Sequence, residues 1–257
     1  MLYQPKEYIK FLISSTNQHG VHSPFVFDLV TKCFYNKTNY KEYELLKSYQ
    51  KKLLHDKGTI EISDFGSGSR IFKSNLRPVS KIARYSSTRL KRAKLLFRLS
   101  RYFKPTQILE LGTCLGMSSF ALALGNSNAY LTSIEGCKNT QMIAKIQLNQ
   151  FGIENLNLIN QKFEEAIPKL INQKYDFIFF DGNHHKKATL SYFEQLLVTA
   201  KNDSVFIFDD IYWSKGMTQA WESIKAHPKV SVTIDTFYWG LVFFRKEQEK
   251  EHFKIRL

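Results

Sequence analysis

Five carboxylates accompany apolar runs in this chain. Glu110 lies inside Gln107–Leu111, Glu135 follows Tyr130–Ile134, Asp181 follows Tyr175–Phe180, and Asp209 with Asp210 follows Ser204–Phe208. Short apolar runs bounded by turn residues read as strands buried on both faces. Beyond Glu110 the chain continues Leu111-Gly112-Thr113-Cys114-Leu115-Gly116-Met117-Ser118. That is a strand, a glycine turn and a helix start, with Ser118 expected to cap the helix. Such a turn makes a pocket for a nucleotide-like ligand. Glu110 would repel a phosphate there and would suit a cationic ammonium or sulfonium group. Glu135 lies 23 residues past Gly112, about the separation at which an acid reaches ribose hydroxyls in nucleotide folds. A carboxylate can accept both hydrogen bonds of a vicinal diol.

The remaining acids suggest a reaction. Asp181-Gly182-Asn183-His184 places a histidine three residues past a strand-end acid, where it could take a proton from an acceptor, with His185 and Lys186 as alternatives. Asp181, Asp209 and Asp210, from two strand ends, could hold Mg²⁺ through carboxylate oxygens; helix capping or pairing with nearby lysines is the structural alternative. Phe163, opening a helix, could flank an adenine ring or simply pack. Tyr212, Trp213, Tyr238 and Trp239 could line an aromatic-accepting pocket or belong to the core. His19 and His22 lack a third ligand nearby and read as packing residues.

Positioning these residues requires alternating strands and helices from Gln107 onward. The implied fold is α/β, a doubly wound, seven-stranded, mostly parallel sheet. The short link through Trp239 predicts a hairpin, so the last strand, Gly240–Phe244, should be antiparallel. Residues 1–85 read as an N-terminal helical cap and 86–257 as the main domain. Ser23 before Pro24 signals a helix start, and residues 40–57 read as an amphipathic helix. Asp64-Phe65-Gly66-Ser67-Gly68-Ser69 offers a second glycine pattern, read as a loop packed against the cap because no strand ending in an acid follows.

No acid occurs between Phe65 and Leu109, while the 70–104 segment is rich in lysine and arginine. An amphipathic helix is expected after Ser86, stopped at Lys104-Pro105. Its cations form a solvated face or a contact for RNA or an anionic surface. The formal net charge of +14 favours an anionic partner. Three scattered cysteines without a CxxC pair argue against a zinc site and suit a reducing, cytoplasmic setting. No secretory leader is read at the start, and no apolar run approaches the ~18 residues of a membrane span.

The ordered motifs from about Ser86 to Arg245 resemble the class I S-adenosylmethionine-dependent methyltransferases of the catechol O-methyltransferase-like branch. Glu110 through Gly116 and Ser118 is similar to that branch's glycine motif. Glu135 matches its ribose-binding acid, Asp181-Gly-Asn-His184 an Asp-Gly-x-His element, and Asp209-Asp210 an acidic pair after the fifth strand. Catechol-type animal enzymes usually carry Asp-Asn at that pair, so Asp210 departs from them. The resemblance implies S-adenosyl-L-methionine as cofactor, methyl transfer to the oxygen of a small hydroxylated acceptor, and often a divalent metal. An RNA methyltransferase using residues 84–104, and a non-catalytic cofactor-binding module, are the alternatives; self-association as a homodimer stays open.

Overall fold

The computed structural model describes residues 3–63, 65, 68 and 72–257. Helices α1 (Tyr3–Ser14), α2 (Pro24–Leu29) and α3 (Glu42–His55) come first. The short strands β1 (Thr59–Glu61) and β2 (Leu76–Pro78) follow, then α4 (Val79–Tyr85) and α5 (Leu90–Phe103). Next are β3 (Gln107–Leu111), α6 (Met117–Gly125), β4 (Tyr130–Ile134), α7 (Lys138–Gln150) and β5 (Leu156–Ile159). The last part holds α8 (Phe163–Leu170), β6 (Tyr175–Phe180), α9 (Lys186–Leu196), β7 (Ala200–Asp209) and α10 (Lys215–Ala226). Strands β8 (Val232–Asp235), β9 (Trp239–Phe243) and β10 (Glu251–Lys254) close the chain.

The chain divides into two compact units, one of residues 36–166 and one of residues 1–35 with 167–257. The boundary expected at residue 85 is one of domains; by compactness the division falls elsewhere.

In the 36–166 unit, β3, β4 and β5 are parallel neighbours, with Glu110 opposite Ser133. The apolar residues Ile108, Leu109 and Leu111 of β3 and Leu131 and Ile134 of β4 are buried, while Leu156, Leu158 and Ile159 of β5 are only partly so. Helix α3 turns Tyr43, Leu46, Tyr49 and Leu53 inward, the amphipathic face expected of that segment. Tyr49 stacks on Phe120 at 4.6 Å, and Phe151 closes on both rings. Helices α5 and α6 approach closely because α6 ends in Gly125: a Cβ there would lie 2.5 Å from the Phe97 carbonyl oxygen. Ser100 Oγ donates to the Leu122 carbonyl oxygen at 2.8 Å across the same contact. Lys104 ends α5 in the left-handed region (φ 47°), just before Pro105.

In the other unit, β6 and β7 are parallel, and β9 runs antiparallel to both β7 and β8. The expected hairpin and antiparallel strand are therefore present. Strand β10 then pairs parallel with β8 at the edge, one strand beyond the predicted seven. Its sequence, Glu-His-Phe-Lys, is polar and largely exposed, so it carries no buried-strand pattern. Gly240 lets β9 pass under the Trp221 ring of α10. Ser23 caps α2 through its hydroxyl and Pro24 sits in the first turn, as expected.

Candidate cofactor site and candidate acceptor residues

The glycine turn lies between β3 and α6. Gly112 (φ 110°) and Gly116 (φ 80°) both adopt backbone that glycine favours. Gly112 N–H and Thr113 N–H both donate to the Ile134 carbonyl oxygen, at 2.9 and 3.2 Å, fastening the turn to β4. At Gly116 a Cβ would meet Tyr49 Oη at 2.6 Å, and Tyr49 Oη donates to the Leu115 carbonyl oxygen at 2.8 Å. Helix α3 therefore underpins the turn, a role that sequence patterning assigned only to a generic amphipathic helix. Ser118 does not cap α6: Gly116 holds the cap position, and the Ser118 hydroxyl turns to Glu110. The reason is that Gly116 in the left-handed region starts the helix two residues before Ser118.

Glu110 and Glu135 both lie in this unit but in different settings. Glu110 is wholly buried. Its Oε2 accepts from Ser119 Oγ and, at 2.5 Å, from Ser133 Oγ, while Oε1 has no hydrogen-bond partner. Burial pushes its pKa up, against the three serine hydroxyls that favour the charged form. Glu135 follows β4 and is partly exposed. Its Oε2 accepts from Cys114 N–H and its Oε1 from Cys137 N–H, each at 2.8 Å. Burial raises its pKa as well, opposed chiefly by those backbone donors. Each oxygen retains acceptor capacity. Cys114, whose N–H makes one of those bonds, is itself left-handed at φ 49°. For a residue other than glycine, asparagine or aspartate this is a strained conformation, of the kind that clusters at functional loops. Asn160 Nδ2 donates to the Glu135 carbonyl oxygen at 2.8 Å and fixes the strand end. Phe163, the adenine-flanking candidate, opens α8 half-buried.

The other unit carries the remaining candidates. Asn183, after β6, and Asp210, after β7, are both left-handed at φ 52°, so each strand leaves its end through a sharp turn. Asn183 Nδ2 donates to Tyr192 Oη at 2.9 Å. His184 and Asp209 line one small cavity of about 10 Å³ with Gly182, Phe208 and Met217, space for about one water. The His184 ring lies 6.3 Å from that of Trp213. Among the described residues no group of three or more His, Cys, Asp or Glu side chains is arranged to hold a metal ion. Of the aromatic candidates, Trp239 and Tyr212 are buried and Tyr238 is exposed. Tyr212 stacks on Phe237 at 5.0 Å and donates to Asp235 Oδ2 at 2.6 Å, and Tyr8 of α1 meets the same Phe237.

The basic segment is partly committed to packing. Lys94 Nζ lies 4.6 Å from the Tyr43 ring centroid, Arg101 stands over Tyr40, and Arg98 donates to Tyr43 Oη. Lys81, Arg84, Arg89, Lys91 and Lys104 are exposed. Of the 64–69 glycine pattern only Phe65 and Gly68 fall among the described residues; Asp64, Gly66, Ser67 and Ser69, and Arg70 after it, lie outside them.

Comparison with known proteins agrees with this geometry. Residues 109–211 match the family described as "Methyltransferase domain". A Mycobacterium sp. (strain JLS) protein provisionally named an O-methyltransferase is 32% identical over 92 residues. That stretch is 35% of this chain and 42% of that protein, so the chain spans less than half the length of the curated relative it matches. Among solved structures, the S-adenosylhomocysteine-bound methyltransferase PaMTH1 of Podospora anserina superposes with a TM-score of 0.64 at 13% identity, covering 88% of this chain and 97% of that one. The Bacillus cereus O-methyltransferase in complex with S-adenosylhomocysteine gives 0.55 at 17% identity, over 83% and 98%. TomG from Streptomyces achromogenes, an O-methyltransferase of tomaymycin synthesis solved with S-adenosylmethionine, gives 0.54 at 21%, over 62% and 82%. At these identities the likeness is one of fold.

Proposed function

We propose that this chain, which has a methyltransferase domain over residues 109–211 on the class I S-adenosylmethionine-dependent fold, transfers a methyl group to the oxygen of a small hydroxylated acceptor. The observation that carries this reading is the Glu135 carboxylate. It is fixed by two backbone N–H donors, one from the glycine turn, and keeps lone pairs free for a diol.

S-adenosylmethionine supplies an electrophilic methyl on a sulfonium sulfur. In the transfer the carbon–sulfur bond breaks with its electron pair left on sulfur, a carbon–oxygen bond forms, and the acceptor proton must leave. Glu135 accepts the ribose hydroxyls. Glu110 is buried beneath the turn, so its part is to brace Ser119 and Ser133 rather than to touch the cation directly. His184 is assigned the acceptor proton, with Asp181 before it at the same strand end. Asp209 lines the same small cavity as His184. Divalent-metal assistance would draw on Asp181, Asp209 and Asp210 after β6 and β7, whose carboxylate oxygens suit Mg²⁺; no step here depends on it.

An RNA acceptor has less support, since Lys94 and Arg98 are engaged with Tyr43 of α3 and Arg101 with Tyr40 just before it. The test is to incubate the protein with methyl-labelled S-adenosylmethionine and a cell extract, then fractionate. Label in small hydroxylated metabolites supports the reading; label confined to RNA, or no transfer, contradicts it. His184→Ala is expected to lower turnover by about 10² or more while S-adenosylhomocysteine still binds.

A further inference from the structure

We infer that Phe65, carried by the loop between β1 and β2, is a wall of the nucleoside site and stacks on the purine of the bound cofactor. The inference rests on the reading of Glu135 as the ribose acceptor. The residue after Glu135 is Gly136, and an ideal Cβ built on it would fall 2.7 Å from Phe65 Cδ2 and 3.1 Å from Cε2. The phenyl ring therefore lies directly on the backbone next to the diol-binding acid, in space that any side chain at 136 would fill. The ring is 47% exposed. Lys162 Nζ sits 5.1 Å from its centroid, a cation–aromatic contact that orients the ring.

The loop is held there by bonds to the same few residues that build the acid's setting. Asn139 Nδ2 donates to the Glu61 carbonyl oxygen at 2.7 Å. Ser63 N–H points to Cys137 Sγ at 3.4 Å, and Ile62 N–H donates to the Asn75 carbonyl oxygen at 2.8 Å. Cys137 in turn gives its N–H to Glu135 Oε1. A ribose fixed at Glu135 carries its base one glycosidic bond away, within reach of Gly136 and the ring upon it. Every purine offers a π-face to such a ring, whatever its edge presents. Sequence patterning read this pattern as a loop against the cap; the position of Phe65 beside Gly136 accompanies the β1–β2 pairing.

Calorimetric titration of the wild type, Phe65→Ala and Phe65→Trp with S-adenosylhomocysteine and with methylthioadenosine tests this. Phe65→Ala is expected to weaken both ligands about tenfold, with an unchanged unfolding midpoint. Phe65→Trp is expected to bind like the wild type and to show indole emission quenched on ligand addition, relative to the wild type's own tryptophans. Phe65→Ala binding within twofold of the wild type, or Phe65→Trp emission indifferent to ligand, overturns the inference and leaves the cofactor reading intact. A wild type that binds neither ligand overturns both.

Discussion

Glu110 and Glu135 belong to adjacent strands, yet their surroundings give them different work. Two serine hydroxyls share one oxygen of Glu110, and its other oxygen is buried without a partner. Such a group is costly to ionise. Its folded pKa is raised above the ordinary value of 4.5. The folded chain therefore holds a proton that the unfolded chain loses first, and stability falls as pH rises from 4.5 through the raised folded value. Glu110→Gln lacks that slope. Its unfolding midpoint should gain on the wild type's progressively as pH increases across that window; thermal melts from pH 4 to 8 check this, and parallel curves would contradict it. Glu135 keeps part of its surface in solvent and faces backbone donors that favour its charge. Its type and spacing made it legible as a ribose acid. Glu110 was legible as an acid near the turn but not as a buried one, because serines at 118, 119 and 133 look like surface or capping residues until the fold brings them together.

At the scale of elements, most strands with apolar runs were read close to their observed limits, since burial leaves a hydrophobic signature; β7 instead begins at Ala200, before the expected Ser204, because its first residues Lys201, Asn202 and Asp203 are exposed. The elements that escaped notice are those too polar or too short to leave an apolar pattern. Strand β10 is a polar edge held by backbone pairing with β8. The short helix α4 follows β2 directly and buries Val79, Ile82 and Ala83 in two turns, too few residues for a periodic pattern. The support of the glycine turn by α3 was also hidden, because a buried tyrosine in an amphipathic helix reads as core. Tyr49→Phe keeps the stack on Phe120 but leaves the Leu115 carbonyl without its donor, and is expected to cost about 1 kcal/mol. Gly116→Val should cost more, about 2 kcal/mol or above, because it adds a left-handed backbone penalty to a clash with Tyr49 Oη. Denaturant midpoints for both variants test the ranking; equal losses would mean the turn is not seated on α3.

For the molecule as a whole, the net charge of +14 does not translate into one free basic face. Lys94 and Arg101 of α5 meet the ring faces of Tyr43 in α3 and of Tyr40 just before it. No helix among the described residues is long and apolar enough to cross a membrane. The segments after β6 and β7 place His184 and Asp209 around one water-sized cavity. With Asp181, Asp209 and Asp210 holding a divalent cation in turnover, EDTA is expected to lower methyl transfer and added Mg²⁺ to restore it; a rate unchanged by EDTA would mean that these acids are structural. The central claim, that Glu135 holds the ribose of an S-adenosyl ligand, is tested most directly by calorimetric titration of S-adenosylhomocysteine into the wild type and Glu135→Ala. Saturable one-site binding to the wild type, weakened tenfold or more in the variant, is the expected result; absent binding, or equal affinity in both proteins, would contradict it.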